Sequence, residues 1–318
     1  MPGSALPCVV DHDARRRAAL NKMYERHPAV AERVQRVYGL RLPRHLAVFC
    51  AFWESADHAE RAALNDLMVW PFGLTEYFAD DGLGLRARDG LDERLHGRYL
   101  CDPPEFVTVL SGGSDGLHYG LWYDDPAEVP TLIVHNYARD SAETWTSGYR
   151  TLLGELYGLT RTVLEDHGDE ASAEMRSLLD TLDWFVDADN EAVEADGPVW
   201  WAGFQRQNTA VSVFPQLPGD AGDPQLGRSR ARLKELRAGG AEAAAWIAHA
   251  EAELAAGRPA LALAVGGELH WLAGDEDREV ARRLRADGYR LLGRDAIAEI
   301  VEVHAANSGL RDVGILIR

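Results

Sequence analysis

The chain has 318 residues, with 33 Lys+Arg against 51 Asp+Glu, a formal charge of −18, and 46% hydrophobic residues. That hydrophobic share excludes wholesale disorder and supplies a sizeable core, and at about 150 residues per domain the length suggests two domains. The acidic balance argues against nucleic acid or an anionic membrane surface as partner, since both attract a positive face.

In chain order, residues 12–38 read as helix, because Leu20, Met23, Tyr24, His27, Val30, Val34, Val37 and Tyr38 recur at three- and four-residue steps. Pro28 should kink or divide it, and Gly39 ends it. Leu42-Pro43 opens a second helix with an apolar stripe of Leu46, Phe49, Cys50 and Trp53. A third covers Asp57 to Leu67, and Leu67 to Leu74 reads as strand and turn. Three short runs rich in aromatic and β-branched residues follow, at Glu105–Leu110, Leu117–Tyr123 and Thr131–Asn136, and read as an antiparallel meander. Residues 147–186 return to helical spacing, interrupted around His167-Gly168-Asp169, before an acidic stretch from Asp187 to Asp196. Val199-Trp200-Trp201 and Thr209–Phe214 look strand-like, and Pro215 to Pro224 form a long loop. Helices at 228–237 and 241–256, a short apolar run at Ala260–Val265, and helices at 275–287 and 294–306 close the chain. This order argues an α+β fold, divided as 1–150 and a mainly helical 151–318 with a few short strands.

The cysteines Cys8, Cys50 and Cys101 lie far apart and form no C-x-x-C pair. They offer no zinc site and no disulfide framework, which suits a reducing, cytoplasmic setting. The apolar stretch Leu46–Trp53 falls far short of the about 20 residues that a spanning helix needs. Gly112-Gly113-Ser114-Asp115-Gly116 fits the nucleophile-elbow pattern, but an elbow needs a helix after it. Leu117–Tyr123 alternates like a strand, so the segment reads as a hairpin loop. There is no phosphate-binding glycine loop and no H-E-x-x-H among the eleven histidines. Carboxylates are plentiful; Glu251 and Glu253, near a helix end, are placed for proton abstraction or form a solvated acidic face. Pro103 and Pro104 suit a strand start, where no ladder bond is lost, and Asp102 can accept backbone N–H groups in the turn before them.

Three segments together resemble the histone PARylation factor family. They are Tyr38–Pro43 continuing through Phe49 and Trp53 to Val69-Trp70-Pro71-Phe72; Arg98–Phe106 with its Asp102-Pro103-Pro104-Glu105-Phe106 core, continuing through His118-Tyr119-Gly120 and Asp124–Pro130 to Asn136; and Tyr289–Arg294 with Ala298–Asn307. The resemblance implies an N-terminal half with a SUKH-like antiparallel sheet and flanking helices, and a helical C-terminal half. It implies an accessory protein that is not an enzyme alone: one that docks on a poly(ADP-ribose) polymerase and supplies a glutamate to deprotonate an acceptor serine. No tightly bound cofactor is implied, since NAD or ADP-ribose is met only through the partner ADP-ribosyltransferase. Carried onto this chain, the catalytic place falls on Glu253, with Glu251 as the alternative. The binding positions fall on Asp102, Pro103, Pro104, Glu105 and Phe214. The family's tyrosine–arginine grip on its partner should lie near Phe214–Asp223, where this chain reads Phe214-Pro215-Gln216-Leu217-Pro218. The acidic charge and that departure keep a second reading open, a non-catalytic SUKH-type immunity protein capping a basic toxin domain.

Overall fold

The computed structural model describes residues 11–199 and 205–318. Cys8 and the Trp200-Trp201 part of the expected strand lie outside the described residues. Ten α-helices are described: α1 (His12–Tyr38), α2 (His45–Ser55), α3 (His58–Asp66), α4 (Leu152–His167), α5 (Ala173–Asp196), α6 (Ser229–Ala238), α7 (Gly240–Ala255), α8 (Ala260–Leu272), α9 (Arg278–Leu291) and α10 (Asp295–Ala306). The strands are β1 (Trp70–Pro71), β2 (Arg86–Ala87), β3 (Phe106–Ser111), β4 (Leu117–Trp122), β5 (Ile133–Tyr137), β6 (Thr144–Thr146) and β7 (Leu316–Ile317). The five-stranded sheet runs β1-β3-β4-β5-β6, with every neighbour antiparallel, and the class is α+β as expected.

Local chemistry sets the helix ends. Asp11 caps α1 by accepting the Ala14 N–H at 3.0 Å. Gly39 closes α1 at φ 68°, and a Cβ there would stand 2.7 Å from the Ala296 Cβ, so only glycine permits this approach to α10. Asp57 and Glu60 form a capping box at the start of α3. Of the two outcomes expected at Pro28, division does not occur: α1 runs through it unbroken. Pro28 and Tyr24 are both exposed, so the carbonyl that loses its intrahelical donor sits on the solvent side, where water replaces it.

The stripe expected on α2 is in fact burial on nearly every side, with Leu46, Ala47, Val48, Phe49, Ala51 and Phe52 all enclosed. A helix apolar all round belongs in the middle of a fold. Here it lies among α1, α4 and α5, and the core around it runs from Ala19 to Ala192 in sequence and takes in Ile300 of α10. The acidic stretch Asp187–Asp196 continues α5 and is not a break, because its acidic side chains lie mostly outward while Ala192 stays buried. The short apolar run at Ala260 is the start of the 13-residue helix α8. Thr209–Phe214 forms only isolated bridges, Thr144 to Ser212 and Asn208 to Val213, since the segment touches the end of the sheet without lying along it. The chain beyond α10 returns to the first half, where β7 pairs with β2 and Gly97 N–H donates to the Val313 carbonyl at 2.9 Å.

The sheet has two buried faces. Val107, Tyr119, Leu121 and Ile133 face the α1–α5 core, while Phe106, Trp122, Val134 and Val213 form a separate cluster on the other face. Gly120 lies under the Phe106 ring, where a Cβ would come within 2.4 Å of it.

Phe185 is fully buried and meets Phe52 edge-on at 6.0 Å. Phe185→Ala should destabilise the protein by about 3–5 kcal/mol, read as a lower urea midpoint with unchanged slope.

Candidate functional site

The catalytic expectation falls at the corner between α7 and α8. Glu253 lies in the last turn of α7, partly exposed, and Arg258 reaches back across the corner. Both guanidinium contacts are 2.7 Å, Nε to Oε2 and Nη2 to Oε1, so the pair is bidentate. Arg258, followed by the proximity of His249, holds the Glu253 carboxyl below its ordinary range. The carboxylate is therefore ionised at neutral pH and able to accept a proton, though as a weaker base than an isolated glutamate. Glu251 projects to a different neighbour and is ion-paired with Arg283 of α9. The loop 215–224 reaches this corner too. Ala260 N–H donates to the Ala221 carbonyl at 3.0 Å, and Gly222, at φ 96°, lies so near that a Cβ would be 2.8 Å from the Arg258 Cβ.

The binding expectations fall inside the protein instead. Asp102 is 1% exposed. Its carboxylate accepts the Tyr99 N–H at 2.7 Å and lies 3.1 Å from His118 Nε2 through both oxygens. His118 Nδ1 is 2.8 Å from the Gly116 carbonyl, so both ring nitrogens face acceptors. The ring itself is held between Tyr99 and Phe106, each with centroid at 4.6 Å. The Pro103 carbonyl accepts from Arg98 Nη1 at 2.8 Å, and Pro104 is buried. Glu105 is 3% exposed and accepts the Tyr289 hydroxyl of α9. Burial pushes the Glu105 carboxyl up to about 7, with Asp124 adding to the shift and Arg285 and Arg294 opposing it. Phe214 is a core residue, packed with Leu263, Ala264, Ala286 and Ile297. The ring joins the 205–216 loop to α8–α10.

These residues do converge. Pro103, Pro104, Glu105 and Phe214 share a pocket of about 40 Å³ with Trp122 and Arg285, between the second face of the sheet and α8–α9. That volume admits a small group, not a dinucleotide. Sequence reasoning missed His270, whose Nε2 lies 3.1 Å from the Asp102 carbonyl, and Arg258, Arg285 and Arg294. Helical spacing marks these as ordinary helix or loop cations; Arg258 meets Glu253 five residues back in the chain, whereas His270 and Arg294 show their use only through partners across the interface. Asp124, quoted within a motif but given no role, accepts both Arg206 and the Gln216 N–H, the latter at 2.8 Å, and so ties down the loop that carries Phe214. Gly112–Gly116 joins β3 to β4 as a hairpin loop, as expected, with Ser114 on its exposed tip. Among the described residues no group of three or more His, Cys, Asp or Glu is placed to hold a metal ion, and no helix is long and apolar enough to cross a membrane.

The Glu105 carboxyl gives a pH test. Its folded value of about 7 lies above the ordinary 4.5, so the folded state holds this proton more tightly than the unfolded chain. The contribution of Glu105 to stability therefore falls as pH rises from 4.5 to about 7 and is level outside that window. Glu105→Gln should remove that fall, seen as a flatter melting temperature against pH than in the wild type.

The sequence model of the histone PARylation factor 1 family matches residues 29–193. The chain is 25% identical over 317 residues to histone PARylation factor 1 of Bos taurus, covering 88% of this chain and 87% of that protein. The Mus musculus protein of the same name is 25% identical over 312 residues, covering 86% and 85%. The Danio rerio protein of that name is 31% identical over 112 residues, covering 34% of this chain and 31% of the relative. With the family match spanning more than half of its length, the chain belongs to the histone PARylation factor 1 family.

Proposed function

We propose that this protein is an accessory factor for protein ADP-ribosylation: it binds an ADP-ribosyltransferase and completes that enzyme's active site with Glu253. The observation that carries the reading is a partly exposed, ionised carboxylate at the α7–α8 corner of a chain in the histone PARylation factor 1 family. A serine hydroxyl is a weak nucleophile until a base removes its proton as the new bond to the ribose carbon forms and the bond from that carbon to nicotinamide breaks, nicotinamide leaving in the partner's site. Glu253 accepts that proton, and Arg258 orients the carboxylate through its two bonds. Water exclusion comes with docking, because the corner itself is open to solvent. NAD belongs to the partner's site.

The acceptor side chain and the partner are matched to this protein by the surface around the corner. Its nearest parts are the α7 end, the loop 215–224 that carries Gly222, and the exposed part of Arg258. None of these contributes the tyrosine–arginine grip of the family pattern, so the docking contact is made by other side chains.

Two measurements test the reading. In a reconstituted serine ADP-ribosylation assay with a captured transferase, Glu253→Gln should lower the rate by about 10²-fold or more while binding is retained. Arg258→Ala should raise the Glu253 carboxyl toward its ordinary range, which moves the acid limb of the pH–rate profile to higher pH. Capture of a basic toxin domain, held equally by wild type and Glu253→Gln, would replace this reading with the immunity-type one.

A further inference from the structure

A second pocket, of about 30 Å³, shares His270 and Arg285 with the first but does not include Glu105. Its polar lining is His270, Arg278, Arg285, His304 and Ser308, and no carboxylate lines it. Arg285 is 4% exposed. Its one hydrogen bond among the described residues runs from Nε to the Ala281 carbonyl, at 3.2 Å, which leaves the Nη1 and Nη2 donors without a protein partner.

A buried guanidinium normally sits against a carboxylate, because an unpaired buried charge is strongly unfavourable. Such pairs occur elsewhere among the described residues. Arg232 lies against Glu268 at 2.7 Å, Arg33 against Glu93 at 2.8 Å, and Arg294 against Asp125 at 3.6 Å. Arg285 forms no such pair among the described residues; Glu105, across the first pocket, is near enough to act on its charge but accepts none of its hydrogen bonds. Arg98, also buried, directs its two terminal nitrogens to the Pro103 and Phe106 carbonyls. His270 and His304 lie with ring centroids 5.3 Å apart. Burial lowers the pKa of both, and the positive charge of Arg285 and Arg98 lowers it further. The nearest carboxyl, Glu105, lines only the other pocket and is itself driven toward its neutral form by burial.

We propose that this pocket is a binding site for a phosphate-type oxyanion, gripped at its floor by the unpaired Nη1 and Nη2 of Arg285 and met at its mouth by Arg278. The fork of a guanidinium matches two oxygens of such an anion. Arg278 opens α9, is exposed, and turns toward Asp275, so it can swing to a ligand without leaving a hole in the core. The volume of about 30 Å³ admits one compact group and leaves any larger body attached to it outside, beside the exposed Leu100. The site is separate from the Glu253 corner, so it stands whether or not Glu253 is a catalytic base.

Isothermal titration of the full chain tests it, with inorganic phosphate and with AMP as a phosphate monoester, at fixed ionic strength in chloride. The wild type should bind one equivalent. Arg285→Gln should weaken binding by about tenfold or more, equivalent to about 1.4 kcal/mol. Arg278→Ala should weaken it several-fold, and that exposed position decides the matter if Arg285→Gln does not fold. Equal affinity for the two ligands assigns the site to free phosphate, and tighter AMP binding assigns it to a phosphate carried on a larger molecule. Absence of binding by both ligands, or affinity unchanged in every folded variant, overturns the proposal.

Discussion

The burial of the Asp102–Glu105 segment between the sheet and the C-terminal helices holds the two halves of this protein together. Glu105 accepts a hydroxyl from α9, the Asp102 carbonyl meets His270 of α8, and the Asp102 carboxylate fixes His118 on β4. Asp102, Glu105, His118 and Tyr289 are buried, and for such groups a missing partner costs more than the hydrogen bond itself contributes. The segment therefore acts as a positional constraint. α8 and α9 satisfy it in one arrangement, and the α7–α8 corner is located by that arrangement. Pro103 and Pro104 fit this duty because a backbone with no N–H to satisfy can be buried at lower cost.

The two faces of the sheet divide the labour. One closes the helical core around α2, which is apolar on almost every side and so has no other place to be. The other carries His118, Gly120 and Trp122 toward the C-terminal helices, with Gly120 making room for the Phe106 ring. Asp124 and Asp125, just past β4, extend this second interface. Asp124 holds Arg206 and the Gln216 N–H, and Arg294 lies against Asp125 at 3.6 Å while donating to the Gln216 carbonyl. The loop carrying Phe214 is thus fastened from both halves. Phe214 is a core side chain for the same reason, not a surface one.

Much of the fold was legible from residue order. Helix ends at Asp11, Gly39 and Asp57 follow from side chains that satisfy or release backbone groups locally, and the meander follows from alternation and glycine-rich turns. Less legible were the elements whose state depends on what covers them. The run starting at Ala260 is too short and too uniformly apolar to show a period, and becomes a helix because α7 and α9 enclose it. Thr209–Phe214 alternates like a strand, yet it meets the sheet only at isolated bridges, with Val213 packed on the sheet's second face and Phe214 packed with α8–α10.

The candidate sites divide in the same way. By itself the sequence determined the class of the fold, the motifs that mark the family, and the presence of acidic side chains at the end of α7, since these depend on neighbours a few residues apart. Tertiary structure alone decided which carboxylates are enclosed, Asp102 and Glu105, while Glu253 stays partly exposed. It alone left Arg285 buried between two pockets with no carboxylate hydrogen-bonded to it. The physical reason is that desolvation and pairing depend on distance in space, and residues such as Glu105 and Tyr289 meet only after the chain between them has folded.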